Sequence, residues 1–188
     1  MNATNILKKV KDFLKPQFAL IIAAAFLVIS IFIPIMKADE ETEETFRFRM
    51  EMYEDMDMDD YAKEYENVLK ASTTSLFTAS LNVLTKGSNL LGESVMFILP
   101  STGLILLLVA LTALLAIFKK SVGVVIVSVL NFIVLLVEKY LFNETFMESG
   151  FEWAFGNGFM FFAVILVAVV AIWNIVERKK SKKAELAE

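Results

Sequence analysis

The densest group of chemistry-bearing side chains in the sequence is Glu54-Asp55-Met56-Asp57-Met58-Asp59-Asp60. Asp55, Asp57, Asp59 and Asp60 offer carboxylate oxygens of the kind that bind hard divalent cations such as Ca²⁺, and the interleaved thioethers suit Cu(I). The spacing departs from the EF-hand pattern, which sets Gly at the sixth position and Glu at the twelfth. That departure favours the competing reading, a solvated turn whose acids support the N-terminus of a following helix. The chain has no His and no Cys. It therefore lacks the commonest general base and metal ligand, and all thiolate and disulfide chemistry. No apolar block holds a carboxylate pair, so no enzyme is expected, and no cofactor is implied beyond such a cation.

Two polar residues lie deep in an apolar block. Asn131 sits near the middle of 121–142, and Ser128 lies one turn earlier on the same helical face. An amide in hydrocarbon must find a partner. The ordinary solution is an interhelical hydrogen bond, and the sharper one is a pore or substrate contact. Glu138 and Lys139, near the end of that block, are expected to snorkel to the interface.

The stretch TFRFRMEMY places Phe46, Phe48, Met50 and Met52 in alternation with polar residues. Period two predicts a short β-strand with one apolar face, and an unpaired strand needs a partner. That partner is the 143–152 loop, a second copy or another protein. Downstream, apolar residues recur at helical spacing from Tyr61 to about Lys86. This predicts an amphipathic helix with Asp59 or Asp60 as N-cap and Gly87 as C-cap.

Leu99-Pro100-Ser101-Thr102-Gly103 resembles the LPXTG sorting signal of Gram-positive surface proteins, and an apolar run and Lys119-Lys120 follow it as they do there. The resemblance implies cleavage between Thr102 and Gly103. Two further apolar blocks follow, however, and Val95–Ile98 are themselves apolar. Both features favour a Pro-kinked outer helical turn in which Ser101 and Thr102 satisfy freed backbone groups.

These residues need a scaffold, and the composition indicates which. Of 188 residues, 57% are hydrophobic and the mean hydropathy is +0.62, above the range of soluble domains. The excess lies in four blocks at 16–36, 94–118, 121–142 and 153–176. Each is about as long as the ~20 residues that cross a bilayer. The expected fold is an all-α membrane protein, a four-transmembrane-helix bundle whose loop at 37–93 carries the short strand and the amphipathic helix. The first block reads as an uncleaved signal anchor. Ala19 and Ala23 form a small-xxx-small pair that permits close helix approach.

The segments 1–15, 119–120 and 177–188 hold eleven of the 18 basic residues against four acidic ones, whereas 37–93 holds six basic and 14 acidic. The positive-inside rule then makes both termini cytoplasmic and puts 37–93 and 143–152 outside. Trp153 and Trp173 fall near opposite ends of the fourth block, where indoles prefer the interface. The basic residues lie against the membrane and support contact with anionic lipid, not nucleic acid.

The function expected from these features is that of a plasma-membrane interaction protein. It would be an accessory, regulatory or sensor subunit whose acidic loop docks a membrane-protein partner by strand addition. The alternative is a homo-oligomeric cation channel or small permease with an acidic outer vestibule.

Overall fold

A computed structural model describes residues 16–63, 66, 74–78, 95–146 and 150–186. The basic segment 1–15, Gly87 and most of the expected 61–86 helix lie outside the described residues. The described residues are mostly helical, with one small sheet. Its elements are α1 (Pro16–Ser30), β1 (Pro34–Ala38), α2 (Glu40–Asp55), β2 (Thr74–Ser75), α3 (Val95–Ile117), α4 (Ser121–Phe146), β3 (Phe151–Trp153) and α5 (Phe155–Glu185). Among the described residues, α4 over Ser121–Leu141 and α5 over Phe155–Lys183 are long and apolar enough to cross a membrane. Helix α1 and the Ser101–Ile117 part of α3 are apolar but shorter.

The chain divides into two compact units, to which α3, α4 and α5 each contribute residues. The first comprises α1, Ile105–Leu135 and the residues from Met160 onward. Its core is aliphatic, with Leu20, Leu27, Ile105, Val124 and Val167 all buried. Phe132 meets Phe161 edge-on at 5.6 Å. Helix α3 ends in a Schellman turn: the Lys119 amide donates to Ala116 O and the Lys120 amide to Leu115 O. Lys119 takes a left-handed φ of 60° there.

The second unit comprises Ile31–Leu104 and Leu136–Phe159. The first apolar block, expected to be helical to Met36, leaves the helix at Ser30. Pro34 lacks an amide hydrogen and pushes Ile33 away from the α region, so the chain extends instead. Strand β1 is the middle of an antiparallel sheet ordered β2-β1-β3, with Pro34 at its first position, where a proline is tolerated. Lys37 faces Glu152 across β1 and β3, Nζ to Oε1 at 2.5 Å. The hydrogen bond and negative charge of Glu152 lift the Lys37 ammonium above its ordinary range. Gly156 is required here, because a Cβ would come within 2.2 Å of the Pro34 carbonyl oxygen.

Two local expectations are corrected. The strand predicted at 46–52 is part of α2. Asp39 caps that helix, its Oδ1 accepting from the Thr42 amide at 2.8 Å. Glu40, Glu41 and Glu43 occupy the first turn, and Arg47 grips Glu43 one turn on. These terms favour a helix through the end dipole and i,i+4 pairing, and they outweigh the period-two pattern. The sheet instead uses segments not predicted as strands. Thr74–Ser75 also interrupts the long helix expected over 61–86, because its backbone pairs with β1.

Two outcomes are expected. Lys119→Gly relieves a left-handed side-chain residue and stabilises the fold by about 1 kcal/mol, read as a higher thermal midpoint in detergent. Asp39→Ala lowers amide protection in α2. Thr42's amide, then its hydroxyl, hold the Asp39 carboxyl below the usual range. The cap is therefore complete above the unfolded value of ~3.9 and is lost only as pH falls through the lower folded value. Amide exchange in α2 across an acid titration checks this.

Candidate functional site

The acidic segment after β1 is a helix without a fully buried residue, although Thr42, Glu43, Phe46, Met50 and Tyr53 along one face are half-buried. Helix α2 has no buried residue and carries seven acidic and two basic side chains. At about 100° per residue, Phe46 and Met50 share a face with Tyr53, whereas Phe48 and Met52 lie on another. The four residues expected to form one docking face are therefore split in two. Phe48 is 67% exposed, the others less so.

The four candidate metal ligands occupy structural positions around a turn. Asp55 is the last residue of α2, and Asp57 takes the left-handed position of a Schellman turn with φ 55°. The Met58 amide closes this turn on Tyr53 O at 2.9 Å and the Asp57 amide on Glu54 O at 3.1 Å. Asp59 and Asp60 open a helical turn at 59–63 rather than capping it, since Met58 O accepts from Tyr61 and Ala62. Among the described residues, no three acidic side chains converge to hold a metal ion. Tyr53 stacks on Tyr61 at 5.5 Å across the turn, and Met56 and Met58 are exposed beside it.

The interior holds a second group. Ser128 and Asn131 are both buried on α4, Asn131 completely. Among the described residues, neither the Ser128 hydroxyl nor either polar atom of the Asn131 amide has a hydrogen-bond partner. The interhelical bond expected for Asn131 is thus absent from this set. Without acid or base strength at neutral pH, the pair can bind or orient a polar group but cannot transfer a proton.

In the second unit, Thr102 Oγ1 donates to Glu138 Oε1 at 3.0 Å, and both residues are buried. One expectation changes: Glu138 is 7% exposed and does not snorkel. Thr102 serves a carboxyl on another helix.

A third group was not anticipated. Gln17 Nε2 donates to Ala116 O at 2.9 Å, while its Oε1 accepts from Asn174 Nδ2 at 3.0 Å and from Arg178 Nη2 at 2.7 Å. Arg178 Nη1 also donates to Lys119 O at 3.0 Å, so it serves a carbonyl left free at the α3 C-terminus. One amide therefore links α1, α3 and α5 within the first unit. The signal that singles out Asn131, a lone amide in or beside an apolar run, also marks Gln17 and Asn174.

Asn131→Leu replaces an unpartnered buried amide with a side chain that needs no partner. It is expected to stabilise the fold by about 1–3 kcal/mol, measured by thermal unfolding in detergent; a loss of stability would mean that the amide is satisfied. Comparison of the chain with protein-family models, curated proteins and solved structures returns no match.

Proposed function

We propose that this chain is a multi-pass plasma-membrane protein with four spans and cytoplasmic termini, and that it acts as an accessory, regulatory or sensor subunit. Its acidic 37–93 segment docks a partner. The observation that carries this reading is α2, a 16-residue helix with no buried residue. Helices of this length are marginal in water, and tertiary packing usually stabilises them. An exposed α2 with Phe48 outward and a strong acidic excess fits a basic surface on the partner. Docking then uses a helix face, in place of the strand edge expected from the sequence.

The membrane part of the reading is supported by the distribution of side chains on α4. Val122, Ile126, Ile133 and Val137 are exposed, while Ser128 and Asn131 are buried. Water would select the reverse. The alternative, a homo-oligomeric cation channel, draws no support from α4, whose polar residues lie inside a single chain.

A photo-cross-linking residue at Phe48, activated in native membranes, tests the docking. The expected product is one discrete heterologous adduct, lost when Glu40, Glu41, Glu43 and Glu44 are changed to Gln. Self-adducts alone would overturn the reading in favour of a homo-oligomer.

A further inference from the structure

We propose that the N-terminus of α4, with the cations gathered around it, binds a phosphate group, and that this group belongs to the headgroup of an anionic phospholipid. The choice of a lipid rests on the membrane reading given above; the phosphate chemistry does not.

Helix α4 begins at Ser121 and runs for 26 residues. Its first helical bond joins the Val124 amide to Lys120 O at 3.0 Å. The amides of Ser121, Val122 and Gly123 precede that bond, and among the described residues none of them has an acceptor. Lys120 stands at the N-cap, where its side chain offers no acceptor, and the first turn holds no acidic residue. Open amides and the positive end of the helix dipole suit an anion. A second observation points the same way. Ser121 is 4% exposed, and its hydroxyl has no partner among the described residues. Covalent geometry keeps that hydroxyl in the same turn as the open amides. A buried hydroxyl left unpaired is costly, and a bound oxyanion removes the cost.

The positive charge comes from two distant parts of the chain within the first unit. Lys119 and Lys120 are exposed on the turn before α4, and Arg178 is exposed on α5. Arg178 Nη1 donates to Lys119 O at 3.0 Å, which fixes the guanidinium at the carbonyl two residues before Ser121. That bond also occupies a carbonyl that would repel an anion. Ala116 O is taken by the Gln17 side chain and the Lys119 amide, and Leu115 O by the Lys120 amide. Among the described residues, none of Lys119, Lys120 and Arg178 forms an ion pair, and the Glu177 carboxylate beside Arg178 is engaged by Lys180 at 3.0 Å. The turn therefore presents amide donors and cations while its carbonyls are engaged. Phosphate, with several acceptor oxygens and a full negative charge, matches both. In the membrane reading this turn lies on the cytoplasmic face, where anionic headgroups are at hand.

The full chain in detergent is titrated with dioctanoyl phosphatidylglycerol, dioctanoyl phosphatidylcholine or inorganic phosphate, and its thermal midpoint is followed. Flotation with lipid vesicles is measured in parallel. Phosphatidylglycerol is expected to raise the midpoint saturably and to bind about fivefold more tightly than phosphatidylcholine. Ser121→Ala should leave the ligand-free midpoint unchanged or higher and weaken phosphatidylglycerol binding about tenfold, as loss of one hydrogen bond to a charged group does. Lys120→Gln should weaken it about fivefold, the effect of one cation. Free phosphate acting as strongly as phosphatidylglycerol would keep the phosphate site and overturn its assignment to a lipid. Equal binding of the two lipids, or undiminished binding by Ser121→Ala, would overturn the proposal and leave the membrane reading standing on flotation. A chain that does not float would overturn the membrane reading and the lipid assignment together, and the phosphate site would then stand or fall on the free-phosphate titration.

Discussion

On α4, polar residues are turned inward and apolar ones outward, and much of the remaining structure depends on that inversion. Ser121, Ser128, Asn131 and Glu138 recur at spacings of seven, three and seven along its buried side, as a helix of 3.6 residues per turn requires of one face. An outer surface of Val, Ile and Leu gains nothing from withdrawal out of water if hydrocarbon surrounds it. Helix association must then come from close packing and from hydrogen bonds inside. The first unit shows both, with Ala23 and Ala24 of α1 and Ala163 and Ala171 of α5 buried and an amide network joining α1, α3 and α5.

The second unit solves a different problem, that of satisfying backbone groups where helices stop. Strand β1 follows directly from an apolar helix, and its amides and carbonyls find partners in β2 and β3. The Asp39 amide continues the pattern on Gly150 O, and the Ala154 amide does so on Ile35 O. An extended segment this close to a helix end would otherwise carry unpaired polar groups. The exposed α2 departs directly from this pinned strand. Its first turn is thus anchored even though no residue along its length is buried.

The sequence made the helices legible where apolar residues run without interruption. The blocks near 94–118 and 121–142 correspond closely to α3 and α4, because nothing local competes with the helix there. It misled where two local signals conflicted. At 46–52 the alternation of Phe and Met pointed to a strand, while Asp39, three residues before Thr42, already supplied a cap. At 31–36 apolar character hid the change of backbone that Pro34 imposes. Among the candidate sites, Ser128 and Asn131 were placed on one buried helical face, but their lack of partners could not be read from spacing. The Gln17 network joins residues more than 150 positions apart, and no local pattern encodes such a pairing.

That separation has a consequence for the timing of synthesis. Gln17 emerges from the ribosome long before Asn174 and Arg178, from which it is separated by 157 and 161 residues. At roughly 5–20 residues per second, its carbonyl oxygen waits on the order of 10–30 s for either donor. Throughout that interval the nascent chain holds α1 with that oxygen unfulfilled, a polar group that its surroundings must accommodate. Helix α5 is therefore the one that completes the hydrogen bonds of α1.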